Sequence, residues 1–308
     1  MIKKRYKKIV IDASRNRSGG AIIYLKNFIK HLNLENTQIK EIIIFSHKDI
    51  LDQIPNRSFL VKCSHPLLEM NRFFQIIWQL IYLPFFLKKN KIDILYSTDS
   101  STFCNYSNSI VFNQDILSFD KKAFNQIPFS LEKIKIFIIK FVQIYSLNNA
   151  KEVIFLSDYA KKTVSKHLKK NISYNIIPHG IEEDFKKIDL EKLNNTTWDY
   201  NSKKKIKIIY VSPLFLYKNH QTVVKAYSRL KKKYDNLDIE FIGNYKHNLK
   251  LYNNIIDENS LINDSHFTGE LNRKDLIKTL IESDIFVFAS STETFGISLL
   301  EAMAVGMP

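Results

Sequence analysis

The sequence predicts an α/β protein built from two doubly wound, parallel-sheet domains, and three observations carry that expectation. Short apolar runs alternate with longer segments of helical period along most of the chain, which is the pattern of βαβ units. A charged, Asn-rich stretch interrupts the alternation beyond the middle, after which it restarts. At 308 residues the chain exceeds the usual size of a single hydrophobic core.

In the first half the strand candidates are residues 8–11, 41–45, 92–96, 110–113, 153–156 and 174–177. Helix candidates lie between them, for example residues 21–32, where Ile22, Leu25, Phe28, Ile29 and Leu32 form one apolar stripe. Residues 182–205 hold few large aliphatics and read as a linker. The alternation resumes with residues 206–211, 239–243, 266–268 and 285–289. The expected organisation is therefore a first domain over 1–181, a linker over 182–205 and a second domain over 206–308, without a solenoid-type repeat.

Composition excludes several classes. The longest apolar run, residues 73–87, contains Gln75, Gln79 and Pro84 and falls short of the ~20 residues that span a bilayer. The first apolar strand is followed at once by Asp12, which leaves no stretch of signal-peptide length. A cytoplasmic location is the expectation. The two cysteines, Cys63 and Cys104, have neither CxxC spacing nor a histidine cluster nearby, so they read as reduced core thiols, with no metal site.

Charge is unevenly spread. The formal net charge is +15, and residues 1–190 hold 30 Lys+Arg against 17 Asp+Glu, while residues 191–308 hold 16 against 14. A basic half points to an anionic partner: nucleic acid, an acidic bilayer or a phosphorylated substrate. A solvated lysine-rich surface in a chain biased to Asn, Ile and Lys explains it as well. Residues 71–89 combine aromatics with basic flanks. They read either as a core helix or as a surface that exposes Trp78, Phe85 and Phe86 to an anionic membrane, with Lys133, Lys135 and Lys140 on a neighbouring helix candidate.

Only seven glycines occur, where an average chain has about 7%. All seven fall in or beside expected turns, and five closely follow strand candidates, where open α/β sheets bind ligands. The densest signal is Ser290-Ser291-Thr292-Glu293-Thr294-Phe295-Gly296-Ile297-Ser298-Leu299-Leu300-Glu301-Ala302, directly after the last strand candidate. A helix starting near Gly296 would turn its free N–H groups toward the strand end, an anion site suited to a diphosphate. Two carboxylates eight residues apart, Glu293 in the loop and Glu301 about one turn into the helix, then suit the sugars at either end of a nucleotide sugar.

Glu-x7-Glu with Phe295-Gly296 inside it, followed by Met303-Ala304-Val305-Gly306-Met307-Pro308, resembles family 4 glycosyltransferases, the retaining enzymes of GT-B fold. The resemblance implies two Rossmann-like domains facing a cleft. It assigns Glu293 to the donor sugar and Glu301 to the nucleotide ribose, with Phe295, Gly296 and Ile297 at the donor. Ser18-Gly19-Gly20 resembles the glycine loop facing the donor phosphates, with Arg15 and Arg17 adding positive charge. Residues 210–220 resemble the first strand and loop of the donor domain, which gives Lys218 the diphosphate. Ser212-Pro213 stands where many members have an arginine a few residues upstream, so one phosphate contact departs from the pattern, and Ser212 is the donor-binding residue expected there. Residues 153–158 and 176–181 resemble the two strand-end turns before the linker and bring His179 and Gly180 to the cleft. Asn113-Gln114-Asp115 stands where many relatives have His-Asp. Gln114 cannot titrate, which excludes a histidine base there, and Asp115 is either an acceptor-side ligand or the cap of the next turn.

The reaction so implied moves a hexose from a UDP-sugar or GDP-sugar to a glycan or lipid-linked acceptor with retention, in cell-surface polysaccharide synthesis such as lipopolysaccharide. It requires no metal or other cofactor and involves no nucleic acid. Peripheral contact with the inner face of the cell membrane accompanies it. A GT-B nucleotide-sugar epimerase and a non-catalytic nucleotide-sugar-binding product are the rival readings. The family pattern calls for further βα units after Pro308, so the second domain reads as C-terminally incomplete, with exposure expected along the helix of residues 297–305.

Overall fold

The computed structural model describes residues 7–17, 20–169, 172–186, 205–259 and 265–308. The chain forms two compact units, Met1–Lys121 with Phe129–His179, and Lys122–Pro128 with Gly180–Pro308. Most of the expected linker, residues 187–204, lies outside the described residues. Its first residues are already structured: Glu183–Lys186 is a short helix whose Phe185 is buried in the core of the second unit.

The first unit carries a seven-stranded sheet of order β3-β2-β1-β4-β5-β6-β7, comprising β1 (Lys7–Asp12), β2 (Ile39–Phe45), β3 (Leu60–Cys63), β4 (Ile94–Ser97), β5 (Ser109–Asn113), β6 (Glu152–Phe155) and β7 (Tyr174–Ile176). Every neighbouring pair is parallel. β3 is the strand the periodicity misses, because four edge residues including Lys62 give no apolar run. Helix Gly20–His31 buries Leu25 and Ile29, the centre of its expected stripe.

Residues 72–89 form three consecutive helical pieces: Arg72–Ile77, a π turn over Trp78–Tyr82, and Leu83–Lys89. Leu83 N–H reaches back to the Trp78 carbonyl. Pro84 has no N–H and crowds the carbonyl four residues earlier, which accounts for the widened turn. Of the two readings of this stretch, the core takes most of it. Trp78 is fully buried against Phe45, at a ring separation of 5.3 Å, and Phe86 packs on the same cluster. Phe85 is exposed as the surface reading expects, but its exposed companions are Phe73, Leu80 and Ile81 rather than Trp78 and Phe86. Cys104 is buried and Cys63 half-buried, and both are free thiols.

Helix Leu131–Asn149 is capped by Ser130, whose Oγ accepts the Lys133 N–H at 3.2 Å. One face buries Gln143, Ser146 and Leu147, while Ile134, Phe137, Ile138, Phe141 and Tyr145 are exposed on the other. Among the described residues no helix is long and apolar enough to cross a membrane.

The second unit holds a parallel four-stranded sheet of order β10-β9-β8-β11, with β8 (Ile206–Val211), β9 (Leu237–Ile242), β10 (Ser265–Gly269) and β11 (Ile285–Phe286). Tyr210, Tyr227 and Phe241 fill one side and Ile209, Leu280 and Ala302 the other. The final helix, Ile297–Ala304, buries Glu301 and Ala302 and leaves Leu299 and Met303 exposed. In both sheets the strand order turns back beside the first strand, between β1 and β4 and between β8 and β11. The crevice outside the strand ends at such a reversal is where open α/β sheets hold ligands.

Candidate functional site

In the second unit the carboxyl ends of β8 and β11 present two loops that lock onto each other. Ser212 N–H donates to the Ile242 carbonyl at 2.8 Å, and β9 passes so close that a Cβ on Gly243 would lie 2.2 Å from the Ser212 carbonyl oxygen. Only glycine fits there. Ser212 is buried and its hydroxyl donates to the Pro213 carbonyl at 3.2 Å. The β8 loop then forms a 3-10 turn, Leu216–Lys218, and Asn219 adopts the left-handed region at φ 57°. The Asn219 side chain donates to the Ala289 carbonyl at 2.7 Å, and both the amide and the hydroxyl of Ser291 donate to the Tyr217 carbonyl at 2.9 Å. These cross-loop bonds place Lys218 against Glu293, and Lys218 Nζ pairs with Glu293 Oε1. The structure thus brings together the two residues assigned to diphosphate and sugar, 75 positions apart in sequence.

Gly296, at φ 90°, ends the β11 loop and caps helix Ile297–Ala304, and no side chain caps that terminus. A Cβ at Gly296 would press on the Phe288 ring at 3.3 Å. Phe295 and Ile297 are half-buried on either side. Leu299 and Leu300 N–H both donate to the Gly296 carbonyl at 3.1 Å, so the N–H groups of Ile297 and Ser298 are those that the helix itself leaves over. Thr292, in the same loop, is buried with no hydrogen bond to its Oγ1.

Glu301 occupies a different environment from the one its motif suggests. It is buried, and its Oε1 accepts Arg273 Nη2 at 2.7 Å, while Arg273 Nε donates to Glu182 Oε2 at 2.7 Å. Burial raises the Glu301 carboxyl above its ordinary range and the Arg273 guanidinium draws it partly back. Arg273 also stacks over Phe185, 4.8 Å from the ring centre. Sequence reasoning included neither Arg273 nor Glu182. The two lie 91 residues apart, and no periodicity or spacing links them.

In the first unit Gly20 begins helix Gly20–His31, whereas Gly19 and Ser18 lie outside the described residues. Gln114 Nε2 donates to the Thr98 carbonyl at 2.7 Å. Asp115 is exposed and its Oδ1 accepts the Leu117 N–H at 2.8 Å, which is the capping alternative. His179 sits edge-on to Tyr24 and Phe112, and burial lowers it to about 4. A Cβ at Gly180 would meet nothing within 4 Å, so scarcity of glycine does not mark this position sterically.

A buried polar lattice lies beneath the β1 loop, and the motif reading did not include it. Asp12 Oδ2 accepts Gln79 Nε2 at 2.9 Å, and Asp12 Oδ1 accepts the Ser14 N–H at 3.1 Å. The Ser14 carbonyl takes Gln75 Nε2 and lies 3.1 Å from His47 Nε2. Thr98 Oγ1 donates to the Asp12 carbonyl at 3.1 Å. Burial pushes the Asp12 carboxyl up. A clue existed in Gln75 and Gln79, polar residues one helical turn apart inside an otherwise apolar run.

His220 opens helix His220–Lys231, buried between Tyr210 and Phe241, and burial lowers it to about 4. An unfolded histidine titrates near 6.5, so between those values the unfolded chain binds a proton that the folded unit refuses. His220 therefore subtracts stability as pH falls from about 7 toward 4, on the order of 3 kcal/mol in full. His220→Gln should flatten the fall in denaturation midpoint over that window relative to wild type. An unchanged slope would remove this assignment.

Residues 195–308 match the family model described as glycosyl transferases group 1. No curated protein matches the chain in sequence. Among solved structures the chain is similar to sucrose-phosphate synthase from Thermosynechococcus elongatus, at 16% identity and a TM-score of 0.71, over 98% of this chain and 80% of that one. It is similar to HepE of Anabaena in complex with UDP and glucose, at 17% identity and a TM-score of 0.67, over 98% and 80%. It is also similar to WaaG, a glycosyltransferase involved in lipopolysaccharide biosynthesis, at 14% identity and a TM-score of 0.69, over 97% and 80%. At these identities the likeness establishes the fold, the GT-B α/β architecture.

Proposed function

We propose that this chain, whose residues 195–308 form a glycosyl transferases group 1 region, is a retaining glycosyltransferase that moves a hexose from a nucleoside diphosphate sugar to a glycan or lipid-linked acceptor in cell-surface polysaccharide synthesis. The observation that carries the reading is the Lys218–Glu293 pair beside the uncapped start of helix Ile297–Ala304, at the reversal point of the second sheet. A phosphate arriving at this edge meets an ammonium group and the Ile297 and Ser298 amides, which stabilise the charge that builds on a leaving diphosphate. Glu293, drawn from Lys218 by the competing phosphate, is then placed to accept hydrogen bonds from sugar hydroxyls. The bond from the anomeric carbon to the diphosphate oxygen breaks, the bond to the acceptor oxygen forms on the same face, and the acceptor proton passes to a phosphate oxygen of the leaving group. Glu301 lies at the ribose end, oriented by Arg273. HepE in complex with UDP and glucose favours a UDP-sugar over a GDP-sugar as donor here.

Glu293→Gln keeps shape and removes the charge. It should lower turnover by on the order of 10²-fold or more through lost positioning of the sugar, measured as product formed from a UDP-sugar with donor-only controls that detect epimerisation. Wild-type turnover in the purified variant would refute the role. The proposed charge stabilisation is metal-free, so EDTA should leave the transfer rate unchanged, and a loss restored by a divalent cation would contradict it.

The exposed face of helix Leu131–Asn149 supports contact of a cytoplasmic protein with an anionic bilayer. Ile134, Phe137, Ile138, Phe141 and Tyr145 recur at spacings of three and four and cover the side opposite the buried Gln143 and Leu147. On a helical wheel Lys133 and Lys140 flank this stripe on one side and Lys135 on the other. An apolar stripe between rows of ammonium groups fits the boundary between acyl chains and acidic headgroups. Phe137→Glu with Phe141→Glu should abolish cosedimentation with vesicles containing phosphatidylglycerol while UDP binding persists. Undiminished cosedimentation would exclude this face.

A further inference from the structure

A cavity of about 290 Å³ opens in the first unit, lined by Arg15, Asn16, Arg17, Arg72, Gln75 and Gln114 together with Ala21 and Asp99. Its walls come from the carboxyl ends of β1, β4 and β5 and from the start of helix Arg72–Ile77. This is the reversal point of the first sheet, and all the lining residues belong to that unit.

Three guanidinium groups and one carboxylate line it, and the buried Asp12 carboxylate beneath also interacts with Arg15, so the lining is net cationic. Asp99 offsets Arg15 only loosely, with Oδ1 3.9 Å from Arg15 Nε, and that Nε is buried with no hydrogen-bond partner. Arg17 makes one long contact, 3.4 Å to Gln75 Oε1. A buried N–H left unsatisfied costs free energy, and a small turn of the Arg15 side chain toward a ligand oxygen would recover it. The floor is rigid, because the Asp12–Ser14–Gln75–Gln79 lattice fixes the loop that bears Arg15 and Arg17. Planar guanidinium forks match phosphate oxygens in pairs. Guanidinium groups from two separate segments suit the several oxygens of a phosphate monoester, which carries about −1.5 to −2 at neutral pH, better than the two of a carboxylate. The volume is close to the lower end of the ~300–1,000 Å³ of small-molecule pockets, enough for a phosphate and part of what bears it.

We propose that this cavity binds a phosphate group carried by the acceptor, separately from the diphosphate of the donor. The assignment to an acceptor rests on the glycosyltransferase reading, and the presence of a phosphate site does not. The second unit has its own lysine and helix terminus for the donor, which leaves this cavity, lined by the first unit alone, for the other substrate.

The full chain should bind methyl phosphate, followed by calorimetry at constant ionic strength, and Arg72→Gln and Arg17→Gln should each weaken that binding by about tenfold or more. Both side chains are exposed, so both variants should fold, and UDP binding should be unchanged in Arg72→Gln. Equal binding of acetate and methyl phosphate, or unchanged methyl phosphate binding in both variants, overturns the site. Displacement of methyl phosphate by saturating UDP overturns the acceptor assignment, because the cavity then holds the donor. If the wild-type chain fails to bind UDP but keeps arginine-dependent methyl phosphate binding, the transferase reading falls and the phosphate site stands.

Discussion

The parallel direction of the strands is the constraint from which the chemistry of each unit follows. When every strand points the same way, each loop after a strand emerges at one edge, and each return to the next strand crosses a face of the sheet. Residues remote in sequence are thereby delivered to one place. Lys218 follows β8 and Glu293 follows β11, and these strands are hydrogen-bonded neighbours. Arg15, Asp99 and Gln114 likewise follow β1, β4 and β5.

Such an edge is rich in polar groups that the chain must satisfy. Around Lys218 the solution is backbone and amide bonding, since Ser291 and Asn219 tie the two loops together and Gly243 removes the Cβ that would hold β9 away. Beneath Arg15 it is a lattice of buried side chains in which Asp12 serves Ser14 and Gln79. Interactions of this kind stabilise modestly when complete and cost much when one partner is removed. They act mainly to fix geometry, and fixed geometry is what a charged ligand needs.

The buried Glu301 illustrates how environment sets a residue's character. Arg273 and Glu182 surround it with one positive and one negative group, so the carboxylate is held in place and only part of its hydrogen-bonding capacity remains for a ligand. Glu293, on a loop and more accessible, is held by a single lysine. Under the proposed transferase reading, a rigid acid and an exchangeable one, eight residues apart, would serve the fixed ribose and the reacting sugar of one donor.

Much of the fold was legible in the chain itself. Among the described residues the βα alternation located ten of the eleven strands, because most of them read as continuous apolar runs, and it missed β3, where Lys62 interrupts the run. The Glu293 to Glu301 motif and Lys218 were legible because the turn and helix start that carry them are local features. What only the tertiary structure decided was which side chains meet. The Lys218–Glu293 pair, the Glu182–Arg273–Glu301 triad and the arginine cavity each join segments between which lie whole βα units. Local sequence records the propensity of each segment, whereas strand order and register determine their neighbours, and those arise only when the sheet assembles.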